Sequence, residues 1–518
     1  MLRLINANDI TSMTDNTATP ADETLDEELL YCRQFILGPG FINIMPGWQY
    51  IEIDSRLKLS MHPEVEVERI VCAEKTLVAI GSIFDSLAPA KSNRDILAEL
   101  IVKADNIEAL TKATGHLGGR WLLIAKFEEN RYLFNDALGL RQVFYTESDI
   151  TGALWLVSQP GLAEKFLHLD LDKSAVEFMD SLQFRKRDQP YWPAAATAFK
   201  GLKHLLPNHY LDLNSGKKFR FWPYAPIGAM TSEAAAEFLE YRMTNIVQAA
   251  ANRYPLAIGI TAGIDSRVVT ALAKDISREI DFVTVRQRKM PDDDPDINIP
   301  DQLADIHGLH RVVVKANPSM SANFAKLFKD NVFMATDIYG PDAEAIMNKL
   351  HRKKAVITGI GGEMAKCILR RMFPKISYNG PLNASDLAVM QGFTDNTFAI
   401  AHFNAWLDDV HNRYDIKLID LFYWEHSHGN WVAMTQMQFD IAWREIITPF
   451  NCRDVLQAIL AVDEKNRVAP GYLLYRKIIS RSWPELLDLP VNPRKKTKFG
   501  LRKVQSFMTR KLKSICRW

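Results

Sequence analysis

The 518-residue chain has few cysteines, and their spacing excludes the common cysteine-based sites. The five cysteines stand at positions 32, 72, 367, 452 and 516 and form no CxxC pair. We therefore expect neither a structural zinc site nor a disulfide framework, and an odd number of isolated thiols is typical of a reducing compartment. The protein is accordingly expected to be cytoplasmic.

Long apolar runs and a strong net charge are also missing. No apolar run is long enough to span a bilayer, and the first residues, MLRLINANDI, lack the apolar core of a signal peptide. The formal net charge is only +1, which gives no global case for nucleic-acid binding. We expect no membrane partner and no clear nucleic-acid partner.

What the chain does contain is typical of a folded protein with more than one domain. Hydrophobic residues make up 47% and charged residues 24%, and 518 residues exceed what one core usually supports. We expect an acidic, flexible arm over residues 1–30, a first domain over 31–225 and a second over 226–518.

Short strands separated by turns dominate residues 33–160. They are expected at 41–44, 48–53, 76–80, 121–125 and 132–134, with one helix at about 94–103. Asn214-Ser215-Gly216, between two alternating runs, predicts a hairpin at 205–224. This pattern indicates an α+β domain or a sandwich of antiparallel sheets.

The stretch YPLAIGITAGIDSRVVTALAK, residues 254–274, organises the second region. An apolar strand is followed by a small-residue turn and then by apolar residues at helical spacing. The amides of such a turn and the helix N-terminus can bind phosphate, with Thr261, Ala262, Gly263 and Ser266 as candidate contacts. Asp265 would repel phosphate unless a cation lay between them, which points to Mg²⁺. An ordinary strand-to-helix turn remains the alternative.

A second loop of similar composition supports this interpretation. Further strands are expected at 280–285, 311–314 and 355–357, and the last one ends in TGIGGE. Thr358, Gly359, Gly361 and Gly362 are candidate nucleotide contacts, and Glu363 could share Mg²⁺ with Asp265. In the acidic turn after the second strand, Asp296 is a further, weaker candidate.

Several of these segments resemble known families. The first loop resembles the SGGxDS pyrophosphate loop of the N-type ATP pyrophosphatases. Residues 115–147, with Asp136, Gly139, Phe144 and Tyr145, resemble the end of the Ntn-type glutaminase domain of asparagine synthetases, and residues 205–224 its closing hairpin. The second loop is similar to that of the same family, and its TGxGx form followed by an acid looks closer to β-lactam synthetases than to true asparagine synthetases, which carry a Glu where Ile360 stands. The resemblance implies a degenerate glutaminase-like antiparallel sandwich, followed by an α/β parallel-sheet ATP pyrophosphatase-like domain with a helical C-terminal part.

The first domain departs from the family at the glutaminase site. The family uses an N-terminal cysteine nucleophile, whereas this chain begins Met1-Leu2-Arg3. Ile80 replaces the asparagine of the family's Asn-Gly oxyanion element, and only Gly81 is retained. We expect no release of ammonia from glutamine, with Cys32 or Cys72 as the only alternative nucleophiles considered.

Two candidate catalytic residues come from the resemblance alone. Residues 443–450, WREIITPF, resemble the family's ExRxPF segment, in which Glu445 keeps the acid and Ile447 replaces the arginine. Lys496, in the segment WPELLDLPVNPRKKTKFG, takes the place of the lysine that reaches the acyl-adenylate. A solvated basic tail is the alternative for Lys496 and its neighbours.

The resemblance implies an ATP-dependent, AMP-forming ligase with ATP and Mg²⁺ as cofactors. It would adenylate a small-molecule or peptide carboxylate and form an amide with an amine or ammonia, within one molecule if it resembles the β-lactam or lasso-peptide macrolactam synthetases. Amidation of a sugar acid, a non-catalytic scaffold and an RNA-modifying pyrophosphatase remain alternatives. A homodimer or a complex with a pathway partner is left open.

Overall fold

The structure, a computed structural model, describes residues 28–187, 189–288, 290–378 and 381–493. The expected acidic arm lies outside these residues except for its last three. The basic tail from residue 494 onward, including Lys496, lies outside them entirely.

The first half of the chain forms two antiparallel six-stranded sheets. Their strand orders are β10-β8-β9-β1-β3-β2 and β12-β11-β7-β6-β5-β4. The strands are β1 (Phe35–Gly38), β2 (Gln49–Asp54), β3 (Leu57–Met61), β4 (Val67–Cys72), β5 (Lys75–Asp85), β6 (Leu117–Phe127), β7 (Asn130–Asn135), β8 (Phe144–Thr146), β9 (Leu156–Val157), β10 (Leu202–His204), β11 (His209–Asp212) and β12 (Lys217–Arg220). The expectation of antiparallel sheets is confirmed.

The side chains of β5 alternate between the two faces of its sheet, and both faces are covered. Val78 and Ile80 point into the core between the two sheets, while Leu77 and Ala79 point to the opposite face. That opposite face is covered by the helices Asn93–Lys103 and Ile107–Ala113, the second of which was not expected from the sequence. A strand buried on both faces has a continuous apolar run, as β5 does.

One expected strand was wrong. Residues 41–44 run as irregular chain between β1 and β2, and Phe41 is 43% exposed. Gly40 and the Pro46-Gly47 pair bracket the segment, and both favour turns over continued strand pairing.

The second half is built on a five-stranded sheet whose strands are all parallel. Its strands are β13 (Leu256–Gly259), β14 (Asp281–Arg286), β15 (His310–Lys315), β16 (Ala355–Ile357) and β17 (Glu445–Ile447), in the order β15-β14-β13-β16-β17. The chain moves outward from β13 to β15 and then crosses back to β16. The strand order therefore reverses between β13 and β16, and ligands of such sheets bind at the carboxyl ends of the strands at this point.

Helices surround this sheet and dominate the C-terminal part of the described chain, as expected. The α-helices of the whole described chain, besides the two on β5, are Ser148–Thr151, Pro160–Leu167, Lys173–Asp180, Leu182–Arg185, Ser232–Ala251, Ile264–Leu272, Pro295–His307, Ala322–Asn331, Gly340–Leu350, Ile368–Met372, Pro374–Tyr378, Ala384–Met390, Thr397–Asp409, Leu418–Phe422, Ala433–Phe439, Arg453–Ala461, Glu464–Arg467 and Leu473–Ser482. Three 3₁₀ turns, Lys274–Ile276, Gly362–Lys366 and Pro484–Leu487, and a π-helical segment, Tyr423–Val432, complete the set. Thr231 caps the 20-residue helix, since its side chain accepts the N–H of Ala234. None of the described helices is both long and apolar enough to cross a membrane.

Candidate functional site

The two glycine-containing loops meet at the carboxyl edge of the parallel sheet. The first follows β13 and the second follows β16, and these strands are direct neighbours. A Cβ atom added to Gly359 would lie 2.8 Å from the Cβ of Asp265, and one added to Gly362 would lie 2.8 Å from its Oδ1. Both glycines are therefore required by the close approach of the loops, and Asp265 lies at the centre of the contact.

The hydroxyl groups of the first loop stabilise the turn itself. Thr261 Oγ1 and Ser266 Oγ lie 3.0 Å apart, and the N–H of Thr261 donates to Ser266 Oγ at 3.1 Å. The N–H of Gly263 donates to Thr261 Oγ1 at 3.0 Å. Gly263 is also the N-cap of the helix Ile264–Leu272, so the positive end of that helix faces the loop.

Two other N–H groups of the first loop are bound by side chains from distant parts of the chain. Ala262 donates to Asp296 Oδ1 at 3.1 Å, and Ile264 donates to Asn492 Oδ1 at 3.3 Å. The backbone N–H of Asn492 donates in return to the carbonyl of Ala262 at 3.0 Å. These two N–H groups thus donate to a carboxylate and to an amide oxygen. Backbone N–H groups in loops of this kind bind phosphate oxygens in other proteins.

Arg267 attaches the segment before Asn492 to the same helix. Its guanidinium donates to the carbonyls of Leu486, Leu489 and Pro490 at 3.1, 2.8 and 3.2 Å. The side chain is buried, and burial lowers the pKa of Arg267 to about 10. Three carbonyl acceptors offset part of the cost of burying this cation. The residues that lead toward the basic tail are therefore held beside the first loop.

The second loop contains a glycine in the left-handed region of backbone conformation. Gly361 has a φ of +92°, and a Cβ there would lie 2.8 Å from Phe450 Cβ and 2.9 Å from Leu138 Cδ1. The Tyr475 hydroxyl donates to the carbonyl of Gly362 at 2.7 Å. Only glycine fits at position 361, both for its backbone angle and for its space.

Two carboxylates and one ammonium group lie between the loops. Lys366 Nζ forms an ion pair with Asp265 Oδ2. Glu363 Oε2 accepts the N–H of Gly361 at 2.9 Å and lies 3.9 Å from His428 Nε2. The neighbouring acids interact strongly enough that their charges must be considered together.

The pKa values in this cluster follow from burial and from the neighbouring charges. Burial raises the pKa of Asp265 to about 6, and the negative charge of Glu363 adds to this while Lys366 opposes it. Burial also opposes ionisation of Glu363, but His428 and Lys366 outweigh it, so the pKa of Glu363 is lowered. Burial disfavours the Lys366 ammonium, yet the charges of Asp265 and Glu363 raise its pKa. All three groups can be charged together only because their charges nearly balance.

Two buried oxygen atoms at this edge have no hydrogen-bond partner among the described residues. They are Asp265 Oδ1 and Thr358 Oγ1. No group of three or more His, Cys, Asp or Glu that could hold a metal ion occurs in the described part of the chain. Mg²⁺, however, is commonly bound by one or two protein carboxylates together with substrate phosphates and water. Asp265 and Glu363 fit such a site, which phosphate oxygens would have to complete.

The first half of the chain contributes a wall to this site. The turn after β7 reaches the second loop: Trp424 Nε1 donates to the carbonyl of Ala137 at 2.6 Å, and the N–H of Leu138 donates to Asn451 Oδ1 at 2.8 Å. Asn451 also donates to Asp136 Oδ1 at 2.9 Å. We call residues 136–141 the bridging turn. Leu138, fully buried, is thereby fixed against Gly361.

Glu445 is not among the residues that the structure brings to the two loops. It begins β17 and pairs in register with Ala355, the first residue of β16, so it lies at the amino end of the sheet. Its carboxylate contacts Arg33, lies 3.4 Å from Arg141 Nη2 and lies 3.7 Å from Arg120 Nη1. A strand rises about 3.3 Å per residue, so β17 separates Glu445 from the loop edge. The resemblance suggests Glu445 as the residue that deprotonates or orients the amine, but its carboxylate does not lie at the loop edge.

These residues belong to a buried cluster of three arginines and two carboxylates, which we call the arginine cluster. Its second carboxylate, Asp440, accepts from Arg120 Nη2 at 2.8 Å and lies 3.4 Å from Arg33 Nη1. The five side chains are each 5% exposed or less. The arginines come from the antiparallel half and the acids from the second half, so the cluster joins the two halves.

The two alternative nucleophiles are placed differently. Cys32 is buried beside Arg352 and Glu64, and burial raises the pKa of its thiol to about 12. The reactive form of a cysteine is the thiolate, which such a site disfavours. Cys72 is exposed at the end of strand β4, at the edge of its sheet. Gly81 has a φ of +103°, and a Cβ atom there would collide with the backbone carbonyl of Arg120 and lie 3.2 Å from the Arg141 guanidinium.

Four residues of the site were not expected from the sequence: Arg267, Lys366, His428 and Asn492. Arg267 directly follows the first loop, and Lys366 lies three residues after Glu363, so their position near the motifs could have suggested them. Nothing local indicated His428 or Asn492, which reach the loops only through tertiary packing. Lys496 lies outside the described residues.

Comparisons with known proteins add little to this description. No family model matches the sequence, and no curated protein matches it. Among solved structures, the chain is similar to the allosteric regulatory enzyme of purine biosynthesis, with 10% identity over 70% of this chain and 77% of that chain and a TM-score of 0.25. It is also similar to glutamine phosphoribosylpyrophosphate amidotransferase from B. subtilis complexed with ADP and GMP, with 10% identity over 77% of this chain and 91% of that chain and a TM-score of 0.24.

Proposed function

We propose that the protein is an ATP-dependent, AMP-forming ligase that adenylates a substrate carboxylate and then joins it to an amine or ammonia. The observation that carries the proposal is the meeting of the two glycine loops between β13 and β16, with Asp265 and Glu363 between them. Loops at the point where the strand order reverses are where open α/β sheets bind nucleotides.

In the first step the substrate carboxylate attacks the α-phosphorus of ATP, and pyrophosphate leaves. The N–H groups of Ala262 and Gly263, together with the helix N-terminus, would bind the departing phosphates in place of Asp296 and the Thr261 hydroxyl. Mg²⁺ held by Asp265 and Glu363 would neutralise part of the charge on the leaving group. Lys366 would add a second, permanent positive charge next to it.

In the second step the amine attacks the carbonyl carbon of the acyl-adenylate, and AMP leaves. We propose Lys496 as the residue that steadies the adenylate. Asn492, four residues earlier, is fixed to the first loop by two hydrogen bonds. We assign no step to Glu445, because its contacts are those of the arginine cluster.

The nitrogen is proposed to come from free ammonia or from an amine, without glutamine hydrolysis by this chain. The raised pKa and burial of Cys32 support this, since a neutral, enclosed thiol is a poor nucleophile. An amine on the carboxylate substrate itself would make the product a lactam or macrolactam. Amidation of a sugar acid requires the same two steps and is equally consistent with the loops.

A non-catalytic scaffold is the second candidate, and one observation favours it. N–H groups of the first loop that would bind phosphate are engaged by Asp296 and Asn492, and one oxygen of Asp265 is engaged by Lys366. A protein that binds no nucleotide would show the same contacts. The two candidates differ in whether these contacts are displaced by MgATP.

Calorimetric titration with MgATP separates the two candidates. The ligase should bind it, and Asp265→Ala should weaken binding strongly, whereas Asp105→Ala, which removes a mostly exposed carboxylate paired with Lys75 in the first half, should not. Exchange of pyrophosphate into ATP with a panel of amino-acid, peptide and sugar carboxylates then identifies the substrate. Asp265→Ala should slow exchange at least about a hundredfold, or about 3 kcal/mol. Absence of MgATP binding by the wild type would leave the scaffold as the function.

A further inference from the structure

The ion pair between Lys366 and Asp265 is built by the second loop itself. Residues Gly362–Lys366 form a 3₁₀ turn, in which side chains three residues apart lie above one another. Glu363 and Lys366 are so related, and both therefore face the first loop. The side chains of Asp265 and Lys366 are only 15% and 14% exposed, so water screens this pair weakly.

The ammonium group occupies one of the two oxygens that a metal ion would use. Lys366 contacts Asp265 Oδ2, and Oδ1 of the same carboxylate has no hydrogen-bond partner in the described part of the chain. A divalent cation on Oδ1 would lie next to the ammonium, and like charges at that separation repel strongly at low dielectric. Both oxygens of Asp265 can bind a metal ion only if the ammonium group of Lys366 moves to another anion.

Phosphate is the anion that the proposed function would bring to this site. The N–H groups of the first loop lie beside Asp265, and triphosphate oxygens bound there would come within reach of a lysine side chain that starts from the second loop. Lysine is a mobile point charge on a four-carbon chain, and so it can change partners without a change in the backbone.

We propose that Lys366 is a resident cation that keeps divalent metal off Asp265 until a nucleotide's phosphates draw its ammonium group away. This rests on the proposed function, because it needs a phosphate-bearing ligand at the loops. Metal ion and nucleotide then enter as one complex, and the nucleotide-free protein stays charge-balanced. Lys366 ends on the pyrophosphate side of the site, where it stabilises the leaving group.

The test uses Mn²⁺ as the probe, measured by calorimetry and by its paramagnetic resonance signal, with the full chain and no nucleotide. The wild type should bind Mn²⁺ weakly, and Lys366→Met should bind one ion at least tenfold more tightly. Adding Asp265→Asn to Lys366→Met should remove the gain. Lys366→Arg, which keeps the charge, should stay as weak as the wild type. Lys75→Met, which breaks the Lys75–Asp105 pair in the first half, is the matched control and should change nothing.

Unchanged or weaker Mn²⁺ binding by Lys366→Met would overturn the proposal. Lys366→Gln is the second variant in case methionine disturbs the loop. If circular dichroism showed that neither variant folds, the ion pair would be a folding requirement and not a metal gate, which also overturns it.

The proposed reaction is tested separately by pyrophosphate exchange. Tight Mn²⁺ binding by Lys366→Met combined with no MgATP binding and no exchange by the wild type would show that Lys366 keeps metal off Asp265, but it would overturn both the ligase and the opening of the site by a nucleotide. Exchange by the wild type combined with unchanged Mn²⁺ binding by Lys366→Met would overturn only the role of Lys366.

Discussion

Replacing Glu445 by glutamine distinguishes a part in amide formation from a structural part in the arginine cluster. The change keeps the shape of the side chain and one acceptor oxygen, but it removes the charge. The cluster of three arginines and two carboxylates goes from a formal +1 to +2, at side chains that are nearly inaccessible to water. Removal of one partner from a buried ion pair commonly costs about 3–5 kcal/mol, because the remaining charge is left uncompensated.

The corresponding loss of melting temperature can be worked out from the chain length. The entropy of unfolding is about 2.1 cal/mol/K per residue, or about 1.1 kcal/mol/K for 518 residues that unfold together. We therefore expect Glu445→Gln to melt about 3–5 °C below the wild type, as read by calorimetry. MgATP binding and pyrophosphate exchange, measured well below the melting temperature, should change little. Glu363→Gln should show the reverse pattern, with lost exchange and a small change in melting.

The opposite outcome for Glu445 would refute this reasoning. If Glu445→Gln melted with the wild type and kept pyrophosphate exchange but formed no amide, Glu445 would act on the amine after adenylation. Asp440→Asn is the control within the cluster, because it removes the other carboxylate. It should destabilise the protein by a similar amount, and it has no proposed part in either step.

Three further results are expected. Leu138→Ala should lower the free energy of unfolding by about 2–5 kcal/mol, as truncation of a buried leucine commonly does, and should also weaken MgATP binding because the Gly361 loop loses its contact. Leu123→Ala, at a leucine buried under the two helices on β5, is the control and should lower only the stability. Equal MgATP affinity in both variants would contradict the role of the bridging turn. The purified protein should release no glutamate from glutamine, and release that disappears in Cys32→Ala would show that the buried thiol is reactive after all. Burial lowers the pKa of His204 from 6.5 to about 4. The neutral form that the fold requires is therefore fully populated above pH 6.5, and stability is lost as the pH falls toward 4, by about 3 kcal/mol in total. The midpoint of urea unfolding should fall over that pH range, and His204→Gln should make the fall smaller.

Strands β13 and β16 of the parallel sheet could be predicted because they are buried apolar runs that lead into glycine-containing turns, whereas β17 was not expected as a strand. Residues 355–357 are β16 as expected, and 280–285 differs from β14 by one residue at each end. The strands that escaped prediction are short or lie at edges, such as β9, with two residues, and β4, which is mostly exposed. Such segments are held by pairing with their neighbours, and their own sequence carries a weak signal.

The two loops could be found from local sequence, because the close approach of their backbones requires small residues, and runs of small residues are visible in the sequence. The charges around them could not. Lys366 and Asn492 reach the first loop from 101 and 228 residues away. For Glu445 the sequence indicated the residue type correctly, but only the register of β17 against β16 shows at which end of the sheet it lies.

The bridging turn sets a limit on how this chain can be cut. Leu138 closes over Gly361, so the antiparallel half forms part of the wall of the candidate site although it supplies none of the groups proposed to react. A gene shortened to the codons after residue 225 would encode a parallel sheet whose second loop meets water along Gly361, Phe450 and Asn451. It would also leave Asp440 and Glu445 without the arginines that neutralise them. A domain joined only by a linker can be deleted without effect on its neighbour, whereas the antiparallel half of this chain is required for the parallel-sheet half to keep its structure.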